Sequence, residues 1–170
     1  MQRLCQTLLV IAAALSLPVS EAAAQTTLEK ASRDEVFNIP QGDPDMAAAM
    51  RKARASLPGF FKLAASPKPS MNNFQIKVAV RHSTGREFFW VKPFERKGNS
   101  FSGQLANAPR VVQHLKAGDT ITFRENEIVD WTYFEDGKMR GHYTMCPLLR
   151  REPREHAEAY IKQYELDCQL

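Results

Sequence analysis

No stretch of this 170-residue chain is apolar for the about 20 residues that a membrane-spanning helix needs. The longest such run, Leu8 to Leu17, is interrupted by Ser16 and followed at once by Pro18, Ser20 and Glu21. Glycine is sparse, and no glycine-rich phosphate loop is present. The histidines His82, His114, His142 and His156 lie far apart, without the His-Glu-x-x-His spacing of a zinc protease, so no metal and no other cofactor is expected. The segment Gly98-Asn99-Ser100-Phe101-Ser102 lacks the closing glycine of a nucleophile elbow and reads as a turn between strands. Charge of one sign is also lacking in concentration. The formal excess is only +4, and Arg51-Lys52-Arg54 and Arg150-Arg151 read as solvated faces, so no nucleic-acid partner is expected.

What is present begins with an address. Arg3 gives a short positive start, an apolar core of about ten residues follows, and Ala22-Ala23-Ala24 supplies the small residues that signal peptidase requires. Residues 1–24 therefore read as a cleavable secretory signal, with 25–42 a polar, flexible leader and 43–170 a single domain. The expected location is periplasmic or secreted, with no transmembrane segment in the mature protein. Losing Arg3 and Glu21 together leaves the charge at +4. Export also reduces three cysteines to two, Cys146 and Cys168, in a compartment where disulfides persist. Ala157, Tyr160, Ile161 and Tyr164 recur at helical spacing, and Cys168 continues that face. A final helix folded back on the sheet brings Cys168 toward Cys146, and pairing is expected.

Asp43 suits an N-cap and Pro44 the first helical position. Met46, Met50, Ala53 and Leu57 form an apolar stripe that Pro58-Gly59 is expected to stop. Phe60 and Phe61 then pack beneath the helix, and Ser66-Pro67-Lys68-Pro69 leads onward as a linker. From Asn73 the period becomes alternating: Phe74, Ile76, Val78 and Val80 mark a strand with one buried face. A turn at Ser83-Thr84-Gly85, a strand from Arg86 to about Phe94, and a weaker one through Phe101, Gly103 and Leu105 follow. About one helical turn is expected over Arg110 to Leu115, then strands over Thr120–Arg124, Ile128–Glu135 and Lys138–Met145, the last two joined by the hairpin pair Asp136-Gly137. Pro153 opens a final helix. The fold expected is α+β: a curved antiparallel sheet or partly open small barrel of about six strands, flanked by an N-terminal and a C-terminal helix.

Several of these segments together carry a resemblance. Lys116-Ala117-Gly118-Asp119-Thr120-Ile121-Thr122-Phe123, then Ile128-Val129-Asp130-Trp131-Thr132-Tyr133, then Asp136-Gly137-Lys138 and Gly141-His142-Tyr143-Thr144, with Met46 to Met50 and Phe88-Phe89-Trp90-Val91 upstream, resemble the YegJ-like domain of bacterial proteins. The likeness spans roughly residues 44–150. It implies an α+β bacterial domain, often exported, of no established activity, and it assigns no catalytic residue.

The residues themselves nominate no catalytic group. On an extended strand His142 and Cys146 lie about 13 Å apart, too far for a thiolate and its base, and a disulfide competes for the sulfur. Acids near turns, such as Glu135 and Asp136, are usually solvent-facing. What remains is a group around the central hairpin: Trp90, Asp130, Trp131, Tyr133 and His142. Alternation puts Trp131 and Tyr133 on one strand face and Asp130 on the other, so a single site cannot take them all. Either one face is core while Asp130 holds a turn or a backbone amide, or the exposed part is a recognition surface. The leading expectation is a non-enzymatic binding module of the cell envelope with a protein partner, for example an inhibitor or immunity factor. The alternative is a cell-wall glycan or peptide hydrolase or ligand-binding protein using Asp130 and His142.

Overall fold

The computed structural model describes residues 42–83 and 85–170. The expected signal peptide, nearly all of the expected leader and Thr84 of the expected first hairpin turn lie outside them. The element order is α1 (Pro44–Ala65), β1 (Met71–His82), β2 (Gly85–Lys97), β3 (Ser100–Leu105), β4 (Thr120–Arg124), a 3-10 turn (Glu125–Glu127), β5 (Ile128–Glu135), β6 (Lys138–Gly141), a second 3-10 turn (Tyr143–Met145), α2 (Cys146–Leu149) and α3 (Arg154–Tyr164).

Asp43 caps α1 as its sequence implies: its carboxylate accepts the Met46 N–H at 2.8 Å, and Pro44 opens the helix. The expected stop at Pro58-Gly59 does not occur. Pro58 sits inside a continuous helix that ends only at Ala65. An interior proline costs about 3 kcal/mol through a lost hydrogen bond and a ring clash. Here the ring faces solvent, and continuing the helix buries Phe60, whose ring stacks 5.0 Å from Trp131 and 6.0 Å from Phe94. Burying one such side chain returns about 1.5–3 kcal/mol before aromatic contacts are added, so tertiary packing outweighs local propensity.

The six strands form one antiparallel sheet in the order β4-β3-β2-β1-β5-β6. Its curvature follows from the connection between β4 and β5. In a flat sheet these strands stand four spacings apart, about 19 Å, whereas four residue steps from Arg124 to Ile128 reach at most about 14 Å. The sheet must therefore curl, and it stays open, as an α+β domain with helices packed against it. Its concave side holds the main core: Ile76, Val78, Phe89, Val91, Phe101, Phe123, Trp131 and Tyr133 meet Ala53, Leu57 and Phe60 of α1. A smaller core joins Met46 to Met145, Leu148, Leu149, Ala157 and Leu166.

Three local expectations change. Residues 110–115 form no helix: the buried Glu87 carboxylate takes the N–H groups of Arg110, Val111 and Val112 at 2.6–3.2 Å, and what remains is a hydrogen-bonded turn, Leu115 N–H to Val112 O at 3.1 Å. The strand expected to reach Met145 stops at Gly141, where φ is +79°, and His142 follows in the left-handed region at +56°. The last helix ends at Tyr164, with Glu165 left-handed and Leu166 N–H returning to the Ile161 carbonyl. Cys168 thus lies past the helix, yet it meets Cys146 in a disulfide with a 2.02 Å bond.

Candidate functional site

Strand register assembles the central group. Lys77 of β1 stands opposite Trp90 of β2 on one side and Asp130 of β5 on the other, so the three share one row on the sheet face opposite α1. The row beside it, Val91-Ile76-Trp131, faces α1. A bulge in the β1–β5 pairing beyond Asp130 and the early end of β6 leave room at the edge of β5 for the 3-10 turn Tyr143–Met145.

Asp130 is fully buried and its carboxylate is saturated with donors. Oδ1 accepts the N–H of Trp131 at 2.9 Å and of Tyr143 at 3.2 Å, while Oδ2 accepts the Thr144 N–H at 2.8 Å and its hydroxyl at 2.6 Å. Burial holds the carboxyl above its ordinary pKa, partly offset by the Lys77 charge and by the donors of Thr144 and Trp131. Three of the partners are backbone N–H groups that can only donate, so the ionised form is the one that satisfies them. An ionised carboxylate offers about four lone-pair positions, and all are taken. Asp130 therefore holds a backbone turn and has no free face for a substrate.

Lys77 is half-buried. Its Nζ donates to the Thr144 hydroxyl at 2.9 Å and sits 4.8 Å from the centre of the Trp90 ring. Burial lowers the ammonium pKa and Asp130 raises it. Trp90 in turn meets the His142 ring edge-on at 5.2 Å and 87°, and His142 Nδ1 lies 2.9 Å from Met139 Sδ. Desolvation, then the Lys77 charge, push the His142 imidazole down to about 3, so it is neutral at physiological pH.

Of the five candidate residues, Trp90, Asp130 and His142 are thus brought together, with Lys77 and Thr144 between them. Trp131 and Tyr133 are not part of this group. Both lie on the concave side, where Trp131 Nε1 donates to Ala53 O and Ser56 Oγ, each at 3.0 Å, and Tyr133 stacks on Phe74 at 4.9 Å. Lys77 and Thr144 carry no signal of this role in the sequence. Lys77 sits at a polar position of an alternating strand, as any solvated lysine does, and Thr144 lay in a segment read as strand. Phe88, which is 41 % exposed two residues before Trp90 on the same strand face, is equally silent in the sequence. Among the described residues no cluster of three or more metal-ligating side chains occurs, and no helix is long and apolar enough to cross a membrane.

Residues 43–168 match the family described as "Uncharacterized protein conserved in bacteria (DUF2314)". The chain is also similar to "Uncharacterized protein YegJ" of Escherichia coli (strain K12), 27% identical over 113 residues that cover 66% of this chain and 72% of that protein. No solved structure matches. With the matched span taking in every strand and helix among the described residues and both Cys146 and Cys168, the chain belongs to this bacterial family of uncharacterized proteins, DUF2314.

Proposed function

We propose that the protein is an exported binding module of the cell envelope that recognises a protein partner through the β1–β2 face carrying Phe88 and Trp90. The observation that carries this reading is Phe88: a large aromatic side chain, 41 % exposed, on a regular strand beside the half-buried Trp90. Lys77, anchored by Thr144, and His142 hold Trp90 in place, which limits the side-chain entropy lost on binding. Exposed Arg86 and Lys92 flank the aromatic pair along β2, so the complementary partner is an acidic protein surface with an apolar centre. An inhibitor or immunity factor acting on an envelope-targeted toxin is one concrete form of such a module. The Cys146–Cys168 disulfide fits a compartment outside the cytoplasm. The hydrolase reading loses its support with the acid it needs, because Asp130 is sealed and fully hydrogen-bonded.

The test is cross-linking from residue 88 in periplasm. A photoreactive residue at Phe88 is expected to trap one acidic protein, and Phe88→Ala and Trp90→Ala are expected to weaken its binding at least tenfold. Equal recovery with wild type and Phe88→Ala, both folded by circular dichroism, overturns the reading.

A further inference from the structure

Arg81 and Arg86 stand directly opposite one another across β1 and β2. Like charges in this position destabilise a sheet, so the pairing calls for a compensating group. No carboxylate among the described residues forms an ion pair with either. Two further arginines converge on the same place. Arg54 comes from α1, its Nε donating to the Ile128 carbonyl at 2.9 Å, and Arg124 comes from the end of β4, where the curled sheet sends the chain across to β5. Together with Ala79, Asn126 and Glu127 they line a cavity of about 230 Å³.

We propose that this cavity is an anion site that binds a phosphate-bearing ligand; it adjoins the aromatic face through Arg86, and pyrophosphate titration reads it without that face's protein partner. Four arginines from four separate elements line it, against one acidic residue, Glu127, whose carboxylate already accepts the Arg124 N–H at 2.7 Å. Four of the chain's 23 basic residues therefore meet at one place, with a single acid beside them. A solvated face does not look like this: its charges come from one element and spread outward. Arginine is suited to phosphate because its planar fork gives paired N–H donors to two oxygens, and Arg54 is already oriented by its backbone contact. The volume corresponds to about eight water molecules at about 30 Å³ each, enough for a pyrophosphate group with part of its hydration shell.

Phosphate in the envelope comes free or on a lipid headgroup, and one experiment separates the two. Wild-type protein is titrated with pyrophosphate at low ionic strength while arginine Nε–H resonances are followed, and is then sedimented with phosphatidylglycerol vesicles, with phosphatidylcholine vesicles as control. Saturable shifts of Arg54, Arg81, Arg86 and Arg124 are expected. Arg81→Gln/Arg86→Gln should weaken pyrophosphate binding at least tenfold, whereas the equal-charge control Lys62→Gln/Arg154→Gln leaves it unchanged. Without ligand, the Arg81→Gln/Arg86→Gln protein should melt no lower than wild type, since it loses a repulsion. Vesicle binding that pyrophosphate displaces assigns the site to a lipid phosphate, and pyrophosphate binding without sedimentation assigns it to a free one. Non-saturable shifts, or an equal loss in the control pair, overturn the proposal.

Discussion

Lys77 and Asp130 are joined through the hydroxyl of Thr144, which accepts from Lys77 Nζ at 2.9 Å and donates to Asp130 Oδ2 at 2.6 Å. The base and the acid belong to adjacent strands, while the threonine belongs to the turn that follows β6. One side chain thereby ties the sheet to the segment that leads into the disulfide and α3.

That geometry makes Thr144 a stability determinant. Thr144→Val keeps the shape but removes both hydrogen bonds, leaving the Lys77 ammonium without its acceptor and Asp130 short of a donor. A loss of about 2–4 kcal/mol is expected in urea unfolding. Thr144→Ser retains the hydroxyl and should cost about 1 kcal/mol or less. Equal losses for the two variants would show that the methyl contact, and not the relay, carries the effect.

Gly141 makes β5–β6 possible in its present register. Its φ is +79°, and a Cβ there would lie 2.3 Å from the Trp131 carbonyl oxygen and 2.4 Å from the indole ring. Neither the backbone nor the packed ring can move aside. Gly141→Ala is expected to destabilise the domain by more than about 3 kcal/mol, measured by thermal and urea unfolding. Gly59→Ala meets nothing within 4 Å and should be neutral or stabilising.

These positions also mark how far the sequence could be read. The Asp43-Pro44 helix start and the Asp136-Gly137 hairpin are legible because each is decided within a few residues; Asp136 and Gly137 both take positive φ, as a tight hairpin demands. The run of α1 through Pro58 is not legible, since it depends on Phe60 finding Trp131, 71 positions along the chain. Alternation correctly separates Asp130 from Trp131, but which donors saturate Asp130 depends on a turn that interrupts the expected strand. The arginine cavity was least legible of all. Arg54 stands in a stretch that reads as a solvated face, and only the curl of the sheet brings it to Arg81, Arg86 and Arg124.

The Cys146–Cys168 bridge closes a loop across 22 positions that contains all of α3. Restricting the unfolded chain over that length is worth about 3 kcal/mol. Cys146→Ala/Cys168→Ala is expected to lose about that amount in urea unfolding and to become more open to protease between Arg150 and Leu170. Two free thiols by non-reducing mass spectrometry of the mature protein would rule the bridge out.

His142 should give the domain a sensitivity to mild acid. Its folded pKa lies near 3, below the usual value of 6.5, so between those limits the unfolded chain binds a proton that the native protein does not. Stability contributed by the neutral ring is therefore complete above about pH 6.5 and falls as the pH drops toward 3. Asparagine suits the left-handed backbone at this position and does not titrate. His142→Asn should accordingly show a flatter decline in unfolding free energy between pH 6.5 and 4 than wild type, whatever its stability at pH 7. The same pocket predicts that the His142 ring protons show no titration step by NMR between pH 5 and 8. A step near 6.5 would mean that the ring lies free of Lys77 and Trp90 in solution.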